Sequence, residues 1–252
     1  MQDPTVIRFV DVHKAYAGVS VLNGLSLEVR RGRTLGIMGP SGTGKSVTLR
    51  HIIGLARADS GRVLVEDRDV AKLSRKDLRK LRRRMGYVFQ EGALINWLSV
   101  EENVALPLRE NTDLSEADIR ERVQAKLELV HIGDTGNKMP SEISGGMKKR
   151  VGLARALITD PEMILYDEPN AGLDPEIARS INRQIRDLSQ ELDVTAIVVE
   201  HRIDCIRAIA DEVIFLDEGR ALIHADSPEE FFESDHPRLL RFFGQTEAKE
   251  TP

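Results

Sequence analysis

Gly39-Pro40-Ser41-Gly42-Thr43-Gly44-Lys45-Ser46 satisfies the pattern G-x-x-x-x-G-K-[ST] at every constrained position. In that pattern the glycines let backbone N–H groups converge on the α- and β-phosphates of a nucleotide. Lys45 reaches the β/γ oxygens and the Ser46 hydroxyl ligates Mg²⁺. The flanks agree. Thr34 to Met38 is a short, largely apolar run that reads as a strand, and Ser46 to Ile53 continues at helical spacing, so the glycine turn joins a strand to a helix. The helix N-terminus, with Val47 in its first turn, adds positive potential where the phosphates would lie. The substrate class expected is a nucleoside triphosphate with Mg²⁺.

Composition sets the remaining bounds. A chain of 252 residues with 41% hydrophobic content can bury one large core, with or without a subdomain. A net charge of −5 argues against general affinity for a phosphate backbone, so no nucleic-acid partner is expected. The single cysteine, Cys205, cannot form an internal disulfide, which suits a reducing compartment. No apolar run approaches the roughly 18 residues of a spanning helix, and no leader is evident. If the chain serves a membrane, another chain spans it.

In chain order, Val6 to Arg30 alternates apolar and polar residues around a turn at Ala17-Gly18, predicting short strands in a β-rich N-terminal lobe. Tyr16 stands just before that turn, where a ring can stack on a base or simply pack. Gly61 to Val70 reads as one further strand. Arg75 to Arg84 carries seven basic residues around Leu78 and Leu81, a helix with a solvated cationic face. Met85 to Phe89 reads as a strand that delivers Gln90 at its end. Gly92 to Leu108 is densely apolar, with Trp97 at its centre and Glu101, Glu102 and Asn103 interrupting it, and reads either as core or as a partner surface. From Ser115, with Asp118 three residues on, a capped helix is expected with Ile119, Val123, Leu127 and Val130 on its inner face.

Ser144-Gly145-Gly146 opens an amphipathic segment, Lys148 to Ile158, and offers a hydroxyl, exposed N–H groups and a helix N-terminus: an ordinary cap or a second anion site. Met163 to Tyr166 is an apolar strand ending in Asp167-Glu168, which places one acid for Mg²⁺ and a second to orient and deprotonate an attacking water. Asp174 lies in the turn before a helix over Ile177 to Leu192. Thr195 to Val199 is a last buried strand, delivering His201.

Phosphate loop, strand-end glutamine, Ser-Gly-Gly, Asp-Glu and histidine occur in the order found in ATP-binding cassettes, and Phe9 to Gly219 resembles an ATP-binding-cassette (ABC) ATPase throughout. Three stretches are similar to the ATPase subunit of Mla-type phospholipid transporters, which work with MCE substrate-binding proteins. These are Phe89 to Leu94, Asn103 to Thr112, and Lys138 to Met147, the last with Met147 in place of the more usual glutamine. The resemblance implies an α/β fold of the ABC type, a P-loop NTPase with a RecA-like core, an N-terminal antiparallel β lobe and a helical signature subdomain over about 92–160. One nucleotide-binding domain would then cover 1–252, with a C-terminal helical tail over 222–252.

By position, the resemblance makes Tyr16 the adenine-stacking residue and Gly39, Pro40, Ser41, Gly42, Thr43, Gly44, Lys45, Ser46 and Val47 the phosphate cradle. Ser46, Gln90 and Asp167 become metal ligands, Glu168 the base and His201 the γ-phosphate contact. Ser144, Gly145, Gly146 and Asp174 serve a neighbour's ATP, because in this family the Ser144 helix faces away from its own loop. Two copies then pack head to tail around two ATP molecules, and a separate integral-membrane permease carries the cargo, with an MCE-type lipid-binding protein in the same complex. That places the chain peripherally on the cytoplasmic face of the inner membrane. Two departures are visible: Glu200 and Arg202 flank His201 where relatives carry a small hydroxyl residue and an aspartate. The competing expectation is a soluble cassette acting as a nucleotide switch on nucleic acid or protein assembly, for which the Arg75 to Arg84 run is the one positive sign.

Overall fold

The computed structural model describes residues 4–90 and 92–244, so Glu91 and the last eight positions of the expected C-terminal tail lie outside the described residues. In chain order the elements are β1 (Thr5–Tyr16), β2 (Val19–Arg30), β3 (Thr34–Met38), α1 (Lys45–Ile52), β4 (Ser60–Val65), β5 (Arg68–Asp69), α2 (Arg75–Arg83), β6 (Met85–Val88), α3 (Val100–Asn111) and α4 (Glu116–Leu129). There follow α5 (Gly145–Leu157), β7 (Met163–Asp167), α6 (Pro175–Glu191), β8 (Thr195–Val199), α7 (Ile203–Ile209), β9 (Glu212–Asp217), β10 (Arg220–Ala225), α8 (Pro228–Glu233) and α9 (Pro237–Phe242). The chain divides into two compact units, 1–72 with 199–252, and 73–198.

In the first unit an antiparallel sheet runs in the order β2-β1-β4-β5. The expected short strands are twelve residues each, made possible by bulges around Asp11 that let a long hairpin twist while Ile7, Phe9 and Val12 stay buried. Ala17 and Gly18 both have positive φ and form the turn. The single strand expected over Gly61 to Val70 is instead a hairpin, because Glu66 and Asp67 also take positive φ and reverse the chain between β4 and β5. The same unit holds β3 parallel to β9, with β10 antiparallel on the outer side of β9. All five residues of β3 and all six of β9 are buried, as a strand covered on both faces requires.

The expected helical tail over 222–252 needs correction. Residues 222–225 belong to β10, turned back onto β9 at Gly219, and helix begins only at Pro228. Phe231 is fully buried against Phe215 with ring centroids 6.5 Å apart, and Phe242 lies 5.3 Å from Phe215, so α8 and α9 extend the core of β9.

In the second unit β6 pairs in parallel with β7, and β8 lies on the other side of β7. The helices α3, α4 and α5 pack together there. α4 begins where expected, Ser115 accepting from the Asp118 N–H, with Ile119, Val123, Leu127 and Val130 buried. The polar residues that interrupt the apolar run at 101–103 mark a helix start: Ser99 and Glu102 form a complete capping box for α3. Asn103 is fully buried behind that cap. Its side chain accepts from the Ile95 N–H at 2.7 Å and donates to the carbonyls of Ile95, Leu98 and Ser99 at 3.0, 3.0 and 2.9 Å, so one amide folds the 95–99 loop. Asn103→Ala strands those buried groups and is expected to cost about 1–3 kcal/mol, measured by chemical denaturation. An unchanged denaturation midpoint would contradict that role.

Candidate active site

The first unit supplies the phosphate loop. Gly39 follows the buried β3 with φ 154°, and a Cβ there would stand 2.0 Å from the Leu216 carbonyl oxygen, so only glycine admits the turn. Gly44, at φ 100°, caps α1 and would clash with Leu22 at 2.7 Å, whereas Gly42 faces open space. Ser41 and Gly42 are exposed, Pro40, Ser46 and Val47 half-buried. The Thr43 hydroxyl donates to the Pro40 carbonyl at 2.9 Å and shapes the loop from within. Lys45 is 6% exposed, and its Nζ donates to the carbonyls of Gly39 and Pro40 at 2.9 Å each, holding the ammonium inside the loop. A close backbone turn, a helix N-terminus and a buried cation together fit a polyphosphate.

Tyr16 ends β1 and is 45% exposed, with Lys14 Nζ over its ring 5.1 Å from the centroid. After β8 the chain turns through Glu200, which is fully buried, to His201, whose side chain is 54% exposed. Arg202 forms a two-pronged pair with Asp204 at 2.7 and 3.2 Å. That hydrogen bond pulls the Asp204 carboxyl below its usual range and raises the Arg202 guanidinium.

The second unit gathers the carboxylates. Asp167 ends the wholly buried β7 and its Oδ2 accepts from the Tyr87 hydroxyl at 2.9 Å. Glu168 follows at φ 47°, a left-handed conformation that costs a non-glycine residue about 1–2 kcal/mol. Gln90 Nε2 donates to Glu168 Oε2 at 3.2 Å across a sequence separation of 78, and Lys149 donates to the Gln90 carbonyl. Gln90 and Glu168 are therefore in contact, with Asp167 next to Glu168 in the chain. Tyr87 and Lys149 carry no signal in the sequence, since nothing local marks a tyrosine as the partner of an acid 80 positions on.

Ser144 caps α5, accepting from the Met147 N–H at 3.3 Å, and Ser144 and Gly145 remain exposed. Gly146 is buried against α6: a Cβ would stand 2.8 Å from Ile177 Cγ2, so glycine lets α5 begin on the first turn of α6. Asp174 caps α6, its Oδ1 accepting from the N–H groups of Glu176 and Ile177 at 3.0 Å each. Within this unit its carboxylate is a helix cap.

Trp97 is 78% exposed, which removes it from the core. The arginine run is not only a solvated face either: Arg75, Arg79, Arg82 and Arg83, with Arg155 from α5, surround a groove of about 630 Å³ floored by Leu78, Met85, Pro107 and Ala156. Arg155 also donates to the carbonyls of Gly92 and Ala93 at 2.6 and 2.8 Å, and its burial lowers the guanidinium from its usual value.

A protein-family model described as ABC transporter matches residues 22–171. The chain is 44% identical over 215 residues to the methionine import ATP-binding protein MetN of Rhizobium johnstonii, covering 85% of this chain and 59% of that one. It is 38% identical over 229 residues to the probable ribonucleotide transport ATP-binding protein mkl of Mycobacterium leprae, covering 91% and 66%. This chain thus spans about 59% of the length of the methionine import relative. Among solved structures it is similar to the dimeric post-hydrolysis state of the ATP-binding cassette MJ0796 bound to ADP and Pi, with TM-score 0.81, 32% identity and coverage of 87% and 98%. A second likeness is to cbiO1 of Clostridium perfringens, part of the ABC transporter complex cbiONQ, with TM-score 0.82, 31% identity and coverage of 95% and 94%.

Proposed function

Because this chain belongs to the ABC transporter family, we propose that it is the ATP-hydrolysing subunit of a transporter, working as a head-to-tail homodimer beneath a separate membrane permease. Its fold is the expected α/β cassette. The family match runs through both compact units, which supports reading 1–252 as one nucleotide-binding domain. The observation that carries the proposal is Glu168, a carboxylate set in a strained backbone conformation at a buried strand end and held by the Gln90 amide. Such strain is retained where a side chain must be aimed.

Roles follow from the groups present. The loop over Gly39 to Val47 takes the phosphates, Lys45 neutralising the outer oxygens, and Tyr16 offers its ring to the base. The Ser46 hydroxyl, the Asp167 carboxylate and the side-chain amide oxygen Oε1 of Gln90 are hard oxygen donors of the kind Mg²⁺ accepts, and the ion, when bound, would offset phosphate charge. Glu168 takes a proton from the attacking water, and His201 contacts the terminal phosphate. Ser144, Gly145, Gly146 and Asp174 complete the partner's site. Phosphate release from Mg-ATP by the purified chain tests this reading, and release no greater than from the Lys45→Ala variant would overturn it.

For the cargo we favour phospholipid, with an MCE-type partner in the complex. The support is the motif likeness over Phe89 to Leu94, Asn103 to Thr112 and Lys138 to Met147. The identity with methionine import and ribonucleotide transport proteins favours a small polar cargo as the second reading. Among the described residues no helix is long and apolar enough to cross a membrane. In this reading the permease holds the chain at the cytoplasmic face. Lipid analysis of the complex purified from membranes separates the two cargoes.

The exposed Trp97 and the arginine-lined groove are the surfaces offered to that permease. Trp97→Ala is expected to weaken permease binding by about 1–4 kcal/mol, read as loss of pull-down from detergent extracts, while ATPase activity of the isolated chain is kept. Undiminished pull-down would remove Trp97 from the interface.

A further inference from the structure

We propose that Glu200 is the positioning residue for His201, an inference that rests on the reading of His201 as the terminal-phosphate contact. Glu200 is fully buried at the end of β8, and its N–H donates to the Ile37 carbonyl at 3.2 Å, tying the turn to the strand that leads into the phosphate loop. One carboxylate oxygen, Oε2, accepts from the N–H groups of His201 at 2.8 Å and Arg202 at 3.2 Å. The same oxygen lies 3.5 Å from His201 Nδ1. The other, Oε1, is buried with no hydrogen-bond partner among the described residues.

As a device for closing a turn this is expensive. Burying a carboxylate is costly, and an oxygen left without a partner adds to that cost. A serine, threonine or asparagine would satisfy the same two N–H groups without a charge. The hydrogen bonds of the Arg202 guanidinium go to Asp204, and its charge reaches Glu200 only through space. What the carboxylate reaches beyond the backbone is the Nδ1 edge of an imidazole whose side chain is more than half exposed. A carboxylate at Nδ1 selects the tautomer with its proton there and turns Nε2 outward, as an acid partner does for a metal-bound or catalytic histidine. Glu200 therefore sets both the backbone and the ring orientation of His201.

The test is a double-mutant cycle in steady-state ATP hydrolysis by the full chain, using Glu200→Gln, His201→Ala and their combination, each checked by thermal unfolding. Glutamine keeps an oxygen for the two N–H groups and removes the charge. Glu200→Gln is expected to lower kcat about 10- to 100-fold with KM for ATP unchanged, and to add nothing in the His201→Ala background, because its effect passes through that ring. Normal kcat in Glu200→Gln, or an equal further loss when His201 is absent, would overturn the inference while leaving the ATPase reading intact. Near-normal turnover by His201→Ala would overturn both the inference and the reading of His201 as the terminal-phosphate contact, with the ATPase reading still standing. Should the Gln variant unfold, Glu200→Asp decides in its place. It keeps the charge at shorter reach and should lower kcat with KM held, and unchanged kcat would refute the positioning role.

Discussion

Replacing Glu168 by Gln is expected to lower ATP turnover by about 10²- to 10⁴-fold while leaving ATP binding intact, the loss associated with removing a general base. The substitution is clean because glutamine keeps the length of the side chain and an oxygen able to accept from Gln90 Nε2, the contact made at 3.2 Å in the native chain. Both residues pay the same cost at φ 47°, so the backbone has no reason to relax. What disappears is the capacity to take a proton from water. In a dimer held together by ATP, the variant should accumulate as a stable Mg-ATP-bound dimer on size-exclusion chromatography, since the event that opens the interface no longer occurs. Near-normal steady-state hydrolysis would remove Glu168 from the role of base.

Lys45→Ala should fail one step earlier. The ammonium is 6% exposed and donates to two carbonyls of the loop, so it arrives at the phosphates already desolvated and already aimed. A charge-assisted hydrogen bond contributes about 1.5–3 kcal/mol, which corresponds to a loss of ATP affinity of about 10- to 100-fold by titration calorimetry, with hydrolysis falling alongside. The glycine turn itself should survive, because Gly39 and Gly44 are fixed by Leu216 and Leu22 and not by the lysine. Thermal unfolding should therefore change little. An unchanged ATP dissociation constant would contradict the assignment.

The legible parts of this chain are those whose physics is local. The glycine spacing around Lys45, the apolar runs ending at Met38 and Asp167, and the Ser115/Asp118 cap are each decided within a few residues, and each stands where expected. The errors share a cause as well. Glu66-Asp67 makes a turn without glycine or proline, so the sequence reads as one strand where the structure has a hairpin. Ser99 to Glu102 is a capping box embedded in an apolar run, so its acids looked like interruptions. β10 alternates weakly and owes its existence to pairing with β9, so its sequence by itself reads as the start of a helical tail. Contacts between distant positions were out of reach: Tyr87 with Asp167, Asn103 with the 95–99 loop, and the closure of the arginine run against Arg155. The hydrogen bond between Gln90 and Glu168 is of the same kind, although each residue is legible by itself as a polar group at a strand end.

The central claim, that each ATP is completed by residues of two copies of this chain, is tested most directly by mixing two inactive variants. Lys45→Ala disables the phosphate loop, and Ser144→Arg blocks the anion site at the start of α5, where loss of the Met147 cap costs only about 1 kcal/mol. Each homodimer then has two dead sites, whereas a mixed dimer has one wholly native site. If the copies pair head to tail, mixing equal amounts should restore phosphate release to roughly a quarter of the wild-type rate, the share of native sites under random pairing. If each copy completes its own site, the mixture will remain as inactive as its components, and the dimeric account will be wrong.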